Sequence, residues 1–368
     1  MIQGANILVT GVTGLIGGEL VRRLVCCGAA KVFCIIRPTP QAGAADRLAE
    51  RFRRSDDYAL LDAADTVEAI PGNVIAPRFG MPEAKARQVA NCVDLIIHCA
   101  SELSFIHDAN CRQTNVTGMH NLIDLVRGCR RDPLLVHIST ATICGNTRHR
   151  CVSEDESGHP AGEHHNEYTR TKAAAEQLLR CSGLPALVIR PSIVLSAELP
   201  SQDFARAILW FLPLLNEFEA VPVDPSSRVD VVPVSFVADS MIRLLQLPRR
   251  RFDCYHLAAG PDQVMRCGDV ARFLDEFYER ANPLRLIPPA EWTRQVHRLY
   301  VRTAHQRKCF ATIKHYLPFL NMDVTYDNAR LREELGDQAA TIPPVIDYLA
   351  GLLSLVTPRL QLAGALSH

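Results

Sequence analysis

Apolar residues fall along the first 260 positions in short solid runs, separated by longer segments in which they recur every three or four residues. The runs at 6–10, 31–36, 66–70, 94–99, 134–139, 186–190 and 254–258 are apolar at successive rather than alternate positions, which predicts strands buried on both faces. Helical spacing fills the gaps between the first six, most clearly at 15–26, 109–129 and 167–180. Strands alternating with helices predict an α/β fold with a doubly wound parallel sheet. The rhythm breaks near residue 196. Pro200, Pro213, Pro222 and Pro225 interrupt an irregular stretch before another helix at 236–247, and mostly helical sequence follows Gly260. The expected organisation is a sheet domain over 1–195, completed by about 228–260. A smaller, mainly helical lobe is expected from 196–227 and 261–368.

Composition narrows the function. The 368 residues are enough to bury a sizeable core, and 40 basic residues balance 40 acidic ones with no long like-charge run. Neither a nucleic-acid surface nor a polybasic membrane patch is indicated. The 13 cysteines include no Cys-x-x-Cys pair, and Cys34 and Cys99 lie in strand-like runs. This argues for buried thiols in a reduced, cytoplasmic setting and against a metal site or disulfide framework. A strand begins almost at once, so no signal peptide is expected. The apolar segments at 208–215 and 348–356 are too short for a transmembrane span.

The first strand runs into Gly11, Gly14 and Gly17, and a helix follows. Gly11 allows the tight turn, Gly14 lets the backbone from Thr13 through Leu15 and Ile16 approach a pyrophosphate, and Gly17 permits close packing of helix on strand. The helix N-terminus offers unpaired N–H groups to phosphate. This strand–loop–helix order at the head of the sheet reads as a Rossmann-type dinucleotide site. Arg37 ends the second strand, where an NAD enzyme usually carries a carboxylate for the ribose 2′-hydroxyl; an arginine there suits a 2′-phosphate and favours NADP(H) over NAD(H). Arg47, Arg51, Arg53 and Arg54 read as the wet face of the next helix. Later strand ends should line the same crevice: Asn73 and Val74 toward the adenine, and Cys99, Ala100 and Ser101 toward the nicotinamide. His98, inside a buried run, reads as a core imidazole.

Two chemistry-bearing clusters remain. Ser139 and Thr140 end the fifth strand, and because neighbouring strand residues face opposite ways, only one can enter the crevice. Tyr168 and Lys172, four apart on a predicted helix, share one face. Carbonyl reduction needs a hydroxyl to hold the oxygen, an acid to protonate the developing alkoxide and a cation to strengthen that acid. A free tyrosine has a pKa of ~10, and a nearby ammonium should lower it. The competing reading of Lys172 is a surface partner for Glu176, one turn on. Asn115 interrupts a helical pattern where asparagine is a poor former; it is either a fourth residue of the catalytic group, its amide bonding backbone or water near the lysine, or a helix-surface asparagine.

Taken together, the Gly11–Gly14–Gly17 loop, Ser139-Thr140 and Tyr168-x-x-x-Lys172 resemble the extended short-chain dehydrogenase/reductase superfamily. The finer resemblance is to the branch of fatty acyl-CoA reductases (male-sterility type) and thioester reductase domains. It is carried by the stretches at 98–105, 115–118, 137–140, 168–176 and 228–234 and covers roughly residues 5–260. The resemblance implies Thr140 as the hydroxyl that binds the carbonyl oxygen, Tyr168 as the acid and Lys172 as its partner, and it packs Pro191, Ser192, Ile193 and Val194 on the nicotinamide. It also implies hydride transfer from NADPH to an acyl thioester carried by CoA or a carrier protein, giving an aldehyde that is either released or reduced again to the alcohol. Asn73 stands where the branch usually has Asp, and Ser235-Phe236 where Asp-Tyr is common; neither touches hydride chemistry. These 368 residues show no pattern expected of an adenylation or carrier domain, so a carrier-bound acyl group is expected to come in trans. The apolar stretch 204–218, with Trp210 and Phe211, is either a wall of an acyl pocket or a core helix.

Three other activities use the same parts: a nucleotide-sugar epimerase or dehydratase with tightly held NAD, a ketone or hydroxysteroid-type reductase, and a non-catalytic dinucleotide sensor. Arg37 and the absence of a basic cluster for a sugar diphosphate speak against the first. A sensor should have lost Tyr168 or Lys172, and both are present.

Overall fold

All seven apolar runs pair in one parallel sheet in a computed structural model that describes residues 2–54, 60, 63, 65–103, 108–195 and 211–362. The strands are β1 (Asn6–Thr10), β2 (Lys31–Ile36), β3 (Val67–Pro71), β4 (Leu95–His98), β5 (Leu134–Ile138), β6 (Ala186–Pro191) and β7 (Cys254–Leu257). Their order across the sheet is β3-β2-β1-β4-β5-β6-β7. The winding therefore reverses between β1 and β4, and the crevice at that reversal lies outside the carboxyl ends of the strands.

Alternation along each strand feeds two cores. On one face Ile7, Val9, Val32, Ile97 and Val136 pack under α1 (Leu15–Cys26) and under the helix Val234–Gln246. On the other, Leu8, Phe33, Ile96 and Leu135 pack under the helices Glu83–Cys92, Gly118–Arg127 and Glu167–Ser182. Both faces are dry, which is why the strands read as solid apolar runs.

Two expectations change. The helix expected over 109–129 runs without a break from Asp108 to Arg127 but carries a π-helical turn, Arg112–Thr117, between its first turn and the helix Gly118–Arg127. The extra residue in the π turn drops Asn115 into the interior, where it is 3% exposed. Beyond residue 190, short paired strands join the helices: Ile193–Leu195 with Val231–Pro233, Val324–Tyr326 with Arg150–Val152, and Ala220–Val221 with Arg285–Leu286. At two or three residues each, they are too short to leave a period in the sequence.

A separate apolar cluster gathers Phe211, Leu212, Leu215 and Phe218 with Cys309, Ile313, Tyr348 and Leu352. Leu15 and Ile193 pack against its edge, so it borders the glycine loop. Of the stretch at 204–218, residues 204–210, including Trp210, lie outside the described residues; 211–218 are largely buried here, and Leu212 and Leu215 line an apolar cavity with Val229, Val231 and Met265. All thirteen cysteines are free thiols. Among the described residues, no helix is long and apolar enough to cross a membrane.

Candidate active site

Gly11 has φ +72°, and a Cβ there would lie 2.6 Å from the Cys99 carbonyl carbon and the Ala100 nitrogen. The glycine loop therefore rests directly on the end of β4, which brings Gly11, Cys99 and Ala100 together. A Cβ on Gly17 would overlap the Gly11 carbonyl oxygen, so α1 can approach the loop this closely only through glycine. Gly14 is the N-cap of α1 and supplies no side-chain cap. The first-turn N–H groups at Leu15, Ile16 and Gly17 have no acceptor within the helix, and a helix N-terminus in that condition suits an anion.

Other expected contacts fall unevenly. Arg37 is exposed at the end of β2; its carbonyl takes the Arg47 guanidinium, and its own guanidinium has no partner among the described residues. Arg51 is not on the wet face of its helix: its guanidinium lies over Gly18 of α1, filling the space a side chain there would need. Arg53 is exposed, 3.8 Å from Glu50, and the Arg54 side chain lies outside the described residues. Asn73 folds back on its own turn, its Oδ1 accepting from Ile75 N–H at 3.3 Å. The Val74 side chain is turned into the core, and its carbonyl accepts from Asn121 at 2.8 Å. Pro191 to Val194 cross the sheet edge on main-chain bonds, Ser192 N–H to Leu257 O at 3.1 Å and Ile193 N–H to Asp230 O at 3.2 Å.

At the ends of β4 and β5 the polar residues are buried. His98, neutral because burial pulls its pKa down to about 3, pairs through Nδ1 with Thr10 Oγ1 at 2.9 Å, and that oxygen accepts from Ala100 N–H at 3.1 Å. His98 thus orders the strand end beside the loop from within the core.

Of the two hydroxyls ending β5, the fold selects Thr140. Its side chain shares hydrogen bonds with Thr142 Oγ1 at 2.9 Å and with the Tyr168 hydroxyl, whereas Ser139 Oγ is buried without a partner among the described residues. Tyr168 stands near the start of the helix Glu167–Ser182, whose N-cap Asn166 accepts from Thr169 N–H at 3.0 Å. One turn on, Lys172 is 2% exposed and donates from Nζ to Ile138 O at 2.6 Å. Burial lowers its pKa to about 8, against the opposing pull of Glu176. Glu176 is not the lysine's surface partner: it is buried and holds Arg190 through two bonds of 3.0 and 2.7 Å. The phenol departs from expectation too. Burial raises the Tyr168 pKa to about 12, partly offset by the Thr140 hydrogen bond, because desolvating a phenolate outweighs nearby polar help.

Asn115 is off the helix surface, and its amide bonds the Glu102 backbone and Thr171, the neighbour of the lysine. Its Oδ1 accepts from Ser101 Oγ and Glu102 N–H, both at 2.9 Å, and its Nδ2 donates to Thr171 Oγ1 at 2.9 Å. It ties the chain leaving β4 to the helix that carries Tyr168 and Lys172. Sequence reading missed Thr171 and Glu102 in this link; the signal available was an asparagine in mid-helix.

Residues 9–241 match the male sterility protein family. The chain belongs to that family. It is a branch of the extended short-chain dehydrogenase/reductase class of NAD(P)-dependent oxidoreductases, in keeping with the loop and sheet order described above. Fatty acyl-CoA reductase 1 of Xenopus laevis is 27% identical over 229 residues, 52% of this chain and 44% of that protein. The nonribosomal peptide synthetase asaC of Aspergillus flavus is 27% identical over 306 residues, 78% of this chain and 29% of the synthetase. The chain thus spans less than half the length of these curated relatives. Among solved structures, the terminal R domain from the myxalamid PKS-NRPS pathway superposes with a TM-score of 0.78 at 21% identity, covering 98% of this chain and 92% of that domain. A UDP-glucuronic acid 4-epimerase from Bacillus cereus, solved with UDP-glucuronic acid and NAD, reaches 0.65 at 16% identity, covering 96% and 99%. These two likenesses establish the shared fold. The uncapped start of α1, with its glycine-only contact to the loop, fits the pyrophosphate of a nicotinamide dinucleotide.

Proposed function

We propose that this chain is an NADPH-dependent reductase of acyl thioesters, carried by CoA or a carrier protein, with Thr140, Tyr168 and Lys172 as its reacting centre. The observation that carries the reading is the hydrogen bond between Thr140 and Tyr168 with Lys172 buried one turn away, at the sheet edge that also bears the glycine loop. The relatives named as fatty acyl-CoA reductase and peptide synthetase support the thioester over other carbonyls. Arg37, exposed and with no guanidinium partner among the described residues, supports NADPH over NADH.

When bound, the reduced nicotinamide supplies the hydride. Thr140 Oγ1 donates to the thioester carbonyl oxygen and holds it against Tyr168. Tyr168 Oη then gives its proton to the alkoxide that develops on that oxygen; with a pKa of about 12, the phenol is loaded at neutral pH. Lys172 Nζ, fixed by the Ile138 carbonyl and protonated below about pH 8, stabilises the phenolate left behind. Collapse of the hemithioacetal breaks the C–S bond, its hydroxyl proton passing to the departing sulfur, and releases the thiol and an aldehyde; a second NADPH, with Tyr168 reprotonated from solvent, serves a second reduction to the alcohol. Asn115 positions this helix by joining Ser101 and Glu102 to Thr171.

The test is to incubate the protein with NADPH or NADH and a panel of acyl thioesters, aldehydes, ketones and UDP-sugars, following absorbance of the reduced nicotinamide. Thioester-dependent oxidation of NADPH is expected. Sugar conversion without net oxidation, or binding without turnover, would overturn the reading.

A further inference from the structure

Tyr168, Lys172 and Glu176 follow one another at four-residue steps along the helix Glu167–Ser182, so the two reacting groups share their helix face with a carboxylate. Glu176 is 3% exposed, and Arg190 on β6 is 4% exposed. Arg190 Nε and Nη2 donate to the two carboxylate oxygens at 3.0 and 2.7 Å, a bidentate pair. Its third nitrogen, Nη1, donates to the carbonyls of Glu154 at 3.3 Å and Glu156 at 2.7 Å. That segment is itself anchored, because the Glu154 carboxylate accepts from His256 N–H at 2.8 Å and from Arg330 N–H at 2.9 Å. One guanidinium thus joins the helix of Tyr168 and Lys172 to a segment fixed by β7 and by the helix Ala329–Leu335. Only a guanidinium offers enough donors in a rigid fork to serve two carboxylate oxygens and two carbonyls at once. A buried ion pair is weak evidence of a purely stabilising role, since well-packed apolar residues in its place are often neutral or better. What apolar residues could not supply is a negative charge one turn from Lys172.

The other titratable groups around the Lys172 ammonium are His98 and Cys99 at the end of β4, His137 on β5, and Tyr168 on its own helix. Burial keeps both imidazoles uncharged at neutral pH, and it raises the Cys99 thiol and the Tyr168 phenol to about 12. All four are therefore neutral where Lys172 titrates, near pH 8. Glu176 is left, among the described residues, as the anion that opposes desolvation of the ammonium. We propose that Glu176 and Arg190 are positioning residues: Arg190 locks the helix of Tyr168 and Lys172 to the 154–156 segment, and the Glu176 carboxylate keeps Lys172 charged at neutral pH. The inference rests on the function proposed above, in which Lys172 must carry a proton.

The experiment follows two readouts against pH: kcat for thioester-dependent NADPH oxidation, and the carbon-13 NMR shift of the Lys172 Cε. The chain has five lysines, and the Lys172 signal is the one that Lys172→Met lacks. Glu176→Leu/Arg190→Met replaces the pair with apolar side chains and is expected to fold. In this double variant the NMR midpoint and the alkaline limb of kcat should both move down by about 1 pH unit, with KM for NADPH changed at most a few-fold. Arg190→Lys keeps the charges but loses the fork; it should leave the midpoint in place and lower kcat about 10-fold. A folded double variant with the wild-type midpoint makes the pair a structural staple and overturns the proposal, and full kcat in Arg190→Lys overturns the clamp. Should the double variant not fold, Glu176→Gln carries the same test, since it removes the charge and keeps an acceptor for Arg190. If the midpoint moves and the kcat limb does not, the pair acts on Lys172 as proposed and the reacting centre proposed above falls. If the wild type turns over no thioester, the proposed function fails first, and the NMR midpoint alone decides the inference.

Discussion

Replacing Lys172 with methionine should abolish thioester reduction and yet leave the folded protein no less stable at neutral pH. The ammonium is 2% exposed, and its pKa drops from the ordinary 10.5 to about 8. At ~1.4 kcal/mol per pH unit, holding that charge costs the fold roughly 3 kcal/mol. Methionine fills similar space without the charge, but it strips the Ile138 carbonyl of its donor, a loss of about 1–3 kcal/mol. The net at pH 7 is therefore between about zero and 2 kcal/mol in favour of the variant. The pH dependence is the sharper readout. Below pH 8 the lysine is charged in both folded and unfolded chains, so the full penalty applies. From about 8 to 10.5 the unfolded chain binds the extra proton, and wild-type stability gains on the variant by ~1.4 kcal/mol per pH unit. The buried thiol of Cys254, raised to about 12, titrates with the opposite sign but is common to both proteins and cancels in the difference; Cys99, which feels the Lys172 charge, does not cancel, so the comparison is made in a Cys99→Ala background. Guanidinium melts of both proteins from pH 7 to 10.5 under reducing conditions test this. A stability gap that does not change with pH would refute the burial argument, and an active variant would refute the assigned role.

Tyr168→Phe should lower turnover by about 10²-fold or more while cofactor affinity, read by quenching of nicotinamide fluorescence, stays within a few-fold; an unimpaired variant would remove Tyr168 from the chemistry. Wild-type kcat should fall as pH rises through about 8, because Lys172 loses its proton there, and a profile flat to pH 10 would contradict that. Gly17→Ala places a methyl on the Gly11 carbonyl oxygen and should weaken dinucleotide binding at least about 10-fold by the same titration. Arg37→Ala should cut the kcat/KM ratio of NADPH over NADH by roughly 10-fold, and an unchanged ratio would move 2′-phosphate recognition elsewhere.

The sequence by itself determined the sheet, the glycine loop and the Tyr168/Lys172 pair. Each is a local pattern: a strand dry on both sides is apolar at every position, a glycine turn sits between a strand and its own helix, and residues four apart share a helix face. The tertiary structure decided what depends on residues far apart in the chain. It chose Thr140 over Ser139 through contact with Tyr168, and gave Glu176 to Arg190 instead of Lys172. It sank Asn115 through a π turn whose hydrogen bonds go to Ser101, Glu102 and Thr171, and laid Arg51 on Gly18. It set the phenol's pKa high and the ammonium's low, since desolvation is a property of the surroundings and not of spacing.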